Sequence, residues 1–307
     1  MLRVLASSTL RARGARALSS AAAGQQYRSV KVPVGDVSLH AVVPADESAL
    51  ADKPRVLCLP SGFGAVKEDF REQFAALGDK YAFVGVDPRG YGKSRPPTRD
   101  FPDQYFERDA DDVLRAADAL GLDQFALLGW SAGANTSAVF AGKYPDRVSR
   151  LVLVAGNAFV GEEDLEIFDK IEDVSRWSRS ARARGEAIYG AEELQAGWSA
   201  MCSKLKSIYE EQAGDLYCEF LPRIKCKTLV VTGMKDKVVA DYHGEYLSER
   251  IMHSRLHVFP EGRHDLVLAE APTFNDVLDA FLMEPDDKLT QSREFVAVPS
   301  KPVSSSS

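Results

Sequence analysis

Residues 125–133 read FALLGWSAG, and they give the strongest indication of the fold. The opening FALL is a continuously apolar run, as expected for a central strand that is covered on both faces of a parallel sheet. The run leads directly into a G-x-S-x-G motif centred on Ser131, and a helix-like run follows over residues 134–144. A serine at such a strand–turn–helix junction predicts a sharp turn that holds its hydroxyl above the carboxyl edge of the sheet.

The G-x-S-x-G motif indicates a nucleophile only together with this strand–turn–helix context, because three fixed positions are weak evidence by themselves. With glycine and serine each near 7% of residues, a G-x-S-x-G match arises by chance in roughly one chain of this length in ten. The ordinary alternative is a serine in a simple loop between a strand and a helix. The tight junction instead favours an exposed nucleophile, with the backbone N–H of Ala132 directed at a developing oxyanion.

Further apolar runs extend the sheet on both sides of this junction. Two of them alternate in character and flank the turn pair Gly35-Asp36, which predicts an antiparallel hairpin. Helical patterns separate the later runs, the clearest over residues 104–120, and this alternation predicts a mostly parallel sheet with helices on both faces. The predicted strands are 29–34, 37–43, 55–59, 82–86, 125–129, 151–154, 229–232 and 256–259.

A long interval without a convincing strand follows residue 154. Residues 159–225 contain Trp177, Tyr189, Trp198 and Tyr209 in helix-like surroundings. We predict that this segment is an inserted helical cap that lies over the carboxyl edge of the sheet.

A serine hydroxyl is a poor nucleophile unless a base takes its proton, so the histidines are the next candidates. His264 follows the last predicted strand in a glycine-rich turn, which places it at the same edge as Ser131. A lone loop histidine is usually a surface residue, but this position favours a catalytic base. The other histidines are His40, His243, His253 and His257, which lie on predicted strands or beside a polar helix.

The imidazole in turn needs a carboxylate that fixes its tautomer and stabilises its charged form. Asp236 follows the strand at 229–232, and the next carboxylate, Asp241, is better placed to cap the following helix. The chain order Ser131, Asp236, His264 is the order of the α/β-hydrolase fold and differs from that of other triad folds. We therefore predict an α/β-hydrolase with these residues as its catalytic triad.

A second oxyanion donor is expected from the loop after the strand at 55–59. Its sequence PSGFG has small residues that let the backbone approach a ligand, and we place the donor N–H at Gly62, with the neighbouring Phe63 as the alternative. The ordinary interpretation of this loop is a glycine turn. The sequence shows neither a metal-binding cluster nor a G-x-G-x-x-G motif, so we expect no cofactor and no metal.

Composition narrows the class of protein. A net charge of −7 argues against a nucleic-acid partner, and no apolar run approaches the roughly 18 residues of a membrane span. The four cysteines show no C-x-x-C spacing, which argues against a disulfide framework or a zinc site and fits a reducing compartment. A small-molecule substrate is the expected partner, and the oligomeric state stays open.

The two ends of the chain differ in character from the middle. Residues 1–24 carry four arginines among alanine, serine and leucine, and no acidic residue precedes Asp36. This composition predicts a mitochondrial transit peptide; a secretory signal would need a longer unbroken apolar stretch, and an inert basic tail is the other alternative. We expect the hydrolase domain over 25–285, with its cap at about 159–225, and a flexible tail over 286–307.

The motifs together resemble the valacyclovir hydrolase group, also called biphenyl hydrolase-like proteins, within the α/β-hydrolases. The shared stretches, besides 129–133, are DPRGYG at 87–92, SRPP at 94–97, FERDA at 106–110, DVSRWS at 173–178 and SRLH at 254–257. The resemblance spans about residues 55–282 and includes the cap. It implies a mitochondrial serine hydrolase that cleaves α-amino acid esters without a cofactor, with Ser131, Asp236 and His264 as the triad.

One departure from the group concerns the acyl pocket. In the amino-ester hydrolase of this group, an acidic residue immediately after the nucleophile receives the substrate's α-ammonium group, whereas this chain has Ala132. We therefore expect a preference for uncharged acyl groups, strengthened if the cap places Phe159, Trp177 and Trp198 overhead. A cap carboxylate, with Glu163 and Asp164 as candidates, is the alternative route to amine recognition.

Two other activities use the same triad, namely hydrolysis of a carbon–carbon bond and perhydrolysis. A receptor or scaffold without catalysis is the alternative outside enzymes.

Overall fold

The computed structural model describes residues 26–285, and the centre of this part of the chain is a single eight-stranded sheet. All the strands predicted from the apolar runs are present, with ends that differ by a few residues at most. The strands are β1 Tyr27–Val34, β2 Val37–Pro44, β3 Arg55–Leu59, β4 Ala82–Val86, β5 Phe125–Trp130, β6 Val148–Val154, β7 Lys227–Gly233 and β8 Ser254–Phe259. Their order across the sheet is β1-β2-β4-β3-β5-β6-β7-β8.

The direction of the strands brings most of the loops that follow them to one edge of the sheet. The hairpin around Gly35-Asp36 is confirmed, since β1 and β2 pair antiparallel, and β2 also runs antiparallel to β4. Every other neighbouring pair is parallel, so the loops that follow β3, β5, β6, β7 and β8 all open at the carboxyl edge. β5 lies at the centre between β3 and β6, and all of its residues are buried.

Helices cover both faces of the sheet, and alternate residues of the central strand point into the two resulting cores. The helices in the described range are α1 Ala49–Asp52, α2 Val66–Asp69, α3 Arg71–Leu77, α4 Tyr105–Ala119, α5 Ala132–Lys143, α6 Glu162–Ile171, α7 Arg179–Tyr189, α8 Ala191–Gln212, α9 Tyr242–Arg250, α10 Leu266–Ala269 and α11 Ala271–Leu282. Leu127 packs with α4, α5 and α9 on one face, and Leu128 packs with α3 and α11 on the other.

The predicted cap is present between β6 and β7. It consists of α6, α7 and α8 with short 3-10 turns at Val174–Arg176 and Cys218–Arg223. The cap has an apolar cluster of its own, in which Phe168, Leu194 and Trp198 are buried together with Phe63 from the loop after β3. Because a residue of the main domain completes the cap's core, the cap is packed directly onto the carboxyl edge.

A single cap hydroxyl ties this packing to two loops of the main domain. The Oη of Tyr189 donates to the Gly64 carbonyl oxygen at 3.0 Å and accepts from the Gly92 N–H at 2.7 Å. The two bonds fix the cap above the loops that follow β3 and β4.

The expectations for both ends of the chain, 1–24 and 286–307, lie outside the described residues. Within 26–285, no helix is both long enough and apolar enough to cross a bilayer.

Candidate active site

The predicted turn around the nucleophile is present and is built from close backbone contacts. Ser131 has φ +55° and ψ −122°, a conformation that few residues other than glycine adopt, and its N–H donates to the Val154 carbonyl oxygen at 2.8 Å. A Cβ added at Gly129 would lie 2.3 Å from the Gly133 carbonyl oxygen, and one added at Gly133 would lie 2.2 Å from that of Leu59. Both motif glycines are therefore sterically required, and the strained serine is held at the carboxyl edge of β5.

His264 and Asp236 meet as predicted, although they are 28 residues apart in the chain. The His264 Nδ1 lies 2.8 Å from Asp236 Oδ2, and the other carboxylate oxygen, Oδ1, accepts the N–H groups of Val238 and Val239 at 2.8 and 3.0 Å. A carboxylate accepts but does not donate, so we assign the proton to Nδ1. This tautomer leaves His264 Nε2 free to accept a proton from a serine hydroxyl.

The surroundings of His264 have two opposite effects on its pKa. Burial of the ring lowers its pKa, whereas the charge of Asp236, the hydrogen bond to Asp236 and the nearby charges of Asp265 and Asp69 raise it. The raising effects win, and the pKa of His264 lies above its ordinary value of 6.5. The imidazolium form is therefore favoured, which is the form that appears when the base has taken up a proton.

Trp130, the variable residue before Ser131, connects the segments of the predicted nucleophile and the predicted base. Its Nε1 donates to the His264 backbone carbonyl oxygen at 2.8 Å, and the two ring centroids are 5.9 Å apart. Sequence reasoning missed this contact, because an apolar aromatic residue at the end of a buried strand has the pattern of a core residue. The only signal was its place between Gly129 and Ser131.

The predicted oxyanion donors lie beside each other. A Cβ added at Gly62 would be 3.5 Å from Ala132 Cβ, so the loop after β3 passes next to the turn. Ala132 is the first residue of α5, where a backbone N–H has no partner within its own helix. Phe63, the alternative to Gly62, has φ +56°, so a second strained residue stands at this edge. Gly62 and Phe63 therefore both lie in the loop that passes beside the turn.

A cavity between the cap and the carboxyl edge contains the nucleophile. Most of its wall is apolar, with Trp198 as the one cap tryptophan among its lining residues. Trp177 stands behind Trp198, with ring centroids 4.6 Å apart, and Phe159 packs on Tyr242 at 5.9 Å. The lining residues are Tyr105, Phe106, Ser131, Ala132, Asn135, Asn157, Asp164, Phe168, Ile171, Trp198, Met201, Cys202, Leu205, Val238 and Val239.

One of these lining residues is a buried carboxylate from the cap. Asp164, in the first turn of α6, is 1% exposed, whereas its neighbour Glu163 is exposed. Its Oδ2 accepts the Gly161 N–H at 2.7 Å and the Tyr242 hydroxyl at 2.9 Å, and His243 Nε2 lies 3.0 Å from both carboxylate oxygens. The sequence named Asp164 only as one of two candidates, because its burial depends on how the cap packs on α9.

Two asparagines complete the polar part of the wall. Asn135 Nδ2 donates to Asn157 Oδ1 at 2.9 Å, the Asn157 N–H donates back to Asn135 Oδ1 at 3.0 Å, and the Tyr217 hydroxyl also donates to that oxygen. Neither asparagine stood out in the sequence. Asn135 lies one helical turn after Ser131, which is the only positional signal.

Comparison with known proteins agrees with this geometry. The alpha/beta hydrolase fold family matches residues 54–173. The serine hydrolase BPHL of Mus musculus is 41% identical over 264 residues, which cover 84% of this chain and 88% of the relative. That of Homo sapiens is 38% identical over 268 residues, covering 87% and 90%.

A solved structure extends the comparison to the fold. The 2-hydroxy-6-oxo-6-phenylhexa-2,4-dienoate hydrolase from Rhodococcus sp. has a TM-score of 0.70 over 85% of this chain and 100% of that chain. The two sequences are only 17% identical, so this likeness shows a shared fold and nothing further. The resemblance found in the sequence motifs is confirmed: the chain belongs to the BPHL serine hydrolases of the α/β-hydrolase fold and is a serine ester hydrolase.

Proposed function

We propose that the protein cleaves carboxylic esters through an acyl-enzyme on Ser131. His264 Nε2 takes the proton of Ser131 Oγ as the oxygen attacks the ester carbonyl carbon, and Asp236 stabilises the resulting imidazolium. The N–H groups of Ala132 and Gly62 donate to the oxyanion. His264 then protonates the leaving alcohol, and the acyl group stays on Ser131.

Deacylation repeats the same steps with water. His264 removes a proton from the water as the water oxygen attacks the acyl carbon. The oxyanion then collapses, the bond from the acyl carbon to Ser131 Oγ breaks, and His264 returns the proton to Ser131 Oγ as the carboxylic acid leaves. The observation that carries the proposal is the 2.8 Å contact between His264 Nδ1 and Asp236 at the edge where the strained turn presents Ser131. Carbon–carbon bond hydrolysis and perhydrolysis use the same triad, but the relatives at 38–41% identity favour ester hydrolysis.

Single substitutions test the triad. We expect Ser131→Ala to abolish ester hydrolysis with the fold intact, because the small side chain contributes little to packing. His264→Ala should be nearly as damaging, with a loss of about 10³-fold or more in kcat, because triad residues act as a unit. A His264→Ala enzyme that kept more than about a tenth of the wild-type kcat would contradict the assignment of the base.

For the acyl group, Asp164 supports recognition of a protonated amine despite Ala132. His243 Nε2 faces the carboxylate, whereas its Nδ1 is buried with no hydrogen-bond partner in the described part of the chain. A proton on both nitrogens would leave a buried N–H unsatisfied, so the neutral ring that donates from Nε2 fits better. Asp164 then keeps its negative charge against the cavity, and a cationic group on the substrate would compensate that charge.

The test is Asp164→Asn, assayed on matched esters with and without an α-amino group. We expect kcat/KM for the amino ester to fall at least about tenfold, equivalent to 1.4 kcal/mol, with the plain ester changed by less than about threefold. Glu163→Gln is the matched control, because it removes the adjacent exposed carboxylate and should leave both substrates unchanged. Equal losses on both esters, or a wild-type preference for the plain ester, would refute amine recognition by Asp164.

A further inference from the structure

Beneath the oxyanion loop, residues 60–64, lies a buried carboxylate that the triad mechanism does not use. Asp69 is the last residue of α2 and is 4% exposed. A single oxygen, Oδ2, accepts both the Ser61 N–H at 2.9 Å and the Ser61 hydroxyl at 2.8 Å. Two hydrogen bonds from one loop residue fix that residue's backbone as well as its side chain.

The backbone of the oxyanion loop packs closely against the Asp69 carboxylate. The Gly64 N–H donates to the Ser61 carbonyl oxygen at 3.0 Å and closes a turn over Gly62. A Cβ added at Gly64 would lie 2.1 Å from Asp69 Oδ2, so the carboxylate packs directly against the loop backbone. From above, Tyr189 of the cap binds the Gly64 carbonyl oxygen, and the loop is therefore held on both sides.

Asp69 also lies among the charges that surround the base. Burial raises the pKa of Asp69 to about 7. The Ser61 hydrogen bonds and the charge of Arg184 on α7 oppose this rise, whereas the charge of Asp87 after β4 adds to it. The charge of Asp69 in turn raises the pKa of His264. Arg184 Nη2 is in addition 3.8 Å from Asp265 Oδ2, next to the base.

We propose that Asp69 is a positioning residue, which holds the oxyanion loop through Ser61 and thereby places the second oxyanion donor. The inference rests on the proposed ester hydrolysis and assigns a role to a residue outside the triad. A donor must lie 2.7–3.1 Å from the oxyanion to be effective, and the removal of one such donor costs about 10²–10³-fold in kcat. A loop that loses its anchor should lose part of this factor, because small displacements of catalytic groups are costly.

Four variants separate positioning from a purely structural role. Asp69→Ala removes both bonds and should lower kcat about 10- to 100-fold with KM within about threefold. Ser61→Ala removes only the hydroxyl bond and should lower kcat by about three- to tenfold. Asp69→Asn keeps an acceptor oxygen and should restore kcat to within about threefold of the wild type. Asp112→Asn is the control: Asp112 is a buried aspartate on α4 that pairs with Arg89 of the loop after β4, and its substitution should change stability but not kcat.

A transition-state analogue gives the decisive readout. A trifluoromethyl ketone forms a tetrahedral oxyanion adduct with the serine, so its affinity should fall across the Asp69 and Ser61 variants in proportion to kcat/KM. Wild-type kcat in Asp69→Ala, or unchanged inhibitor affinity with reduced kcat, would overturn the proposal. Fluorophosphonate labelling of Ser131 in the wild type is the separate check on the triad, since its failure would refute the proposed function and not only the role of Asp69.

Should Asp69→Ala fail to fold, the folded Ser61→Ala and Asp69→Asn variants still decide. The proposal is supported by a kcat lowered about three- to tenfold in Ser61→Ala with a matching loss of trifluoromethyl ketone affinity, while Asp69→Asn stays close to the wild type in both. Full activity with unchanged inhibitor affinity in Ser61→Ala overturns it.

Discussion

Among single residues, the proposed hydrolysis depends most on His264, a partly buried histidine whose pKa is raised by nearby carboxylates. Asp236 is 2% exposed in its side chain, and its second oxygen is occupied by two backbone N–H groups, so the carboxylate cannot rotate away from His264. The net effect on His264 is a raised pKa. The protonated form cannot act as a base, so the rate must fall as the pH drops through this pKa.

The raised pKa of His264 predicts how the rate of ester hydrolysis depends on pH. In the wild type, kcat/KM should rise with pH with a midpoint above 6.5, since the neutral base appears only above the raised pKa. Asp236→Asn removes the charge that raises it, so the midpoint should move to lower pH while the plateau falls by about 10⁴-fold. The measurement is a pH profile of kcat/KM on an activated ester. A wild-type midpoint below 6.5 would contradict the prediction.

At the element scale, the strand ends explain why much of the site was predictable. Apolar runs locate the strands without knowledge of packing, and in a parallel sheet the residue after each strand is brought to one edge. Ser131, Asp236 and His264 follow three such strands, so topology brings all three to the carboxyl edge, where His264 and Asp236 are in contact. Trp130 and Asp164 could not be assigned in this way, because their roles depend on a neighbouring loop and on how the cap packs.

The hydrogen bond from Trp130 to the His264 segment can be tested by a single substitution. Trp130→Phe keeps an aromatic ring in the core and removes only the Nε1–H bond to the His264 carbonyl oxygen. We expect a several-fold loss of kcat with little change in KM, and a stability loss of about 1 kcal/mol. Steady-state kinetics and thermal unfolding would measure the two effects. A variant with lower stability but unchanged kcat would show that the indole supports the fold without orienting the base.

At the scale of the whole molecule, the cap contributes the substrate-facing side of the site. It supplies Asp164 to the cavity, Tyr189 to the oxyanion loop and Arg184 to the charges around the base. The sequence predicted the position of the cap between β6 and β7 from the absence of strands. Which cap residues face the nucleophile was not predictable, because helical periodicity defines a face but not the surface that it contacts.

The arginine-rich segment at residues 1–24 carries a prediction about the location of the protein. Fused to a fluorescent reporter, these residues should direct it to mitochondria, because a basic segment without acidic residues is typical of transit peptides. The control is the same fusion with the four arginines replaced by glutamine, which should remain cytosolic. A cytosolic location for the unaltered segment would contradict the prediction.

Ester cleavage through an acyl group on Ser131 requires a covalent intermediate, and trapping that intermediate is the most stringent experiment. The wild-type enzyme would be mixed with a slowly hydrolysed activated ester, quenched in acid, and analysed by intact mass and peptide mapping. We predict a mass increase equal to one acyl group, located on the peptide that contains Ser131 and absent from a folded Ser131→Ala variant. An acyl group on another residue, or ester hydrolysis by Ser131→Ala at the wild-type rate, would contradict the account.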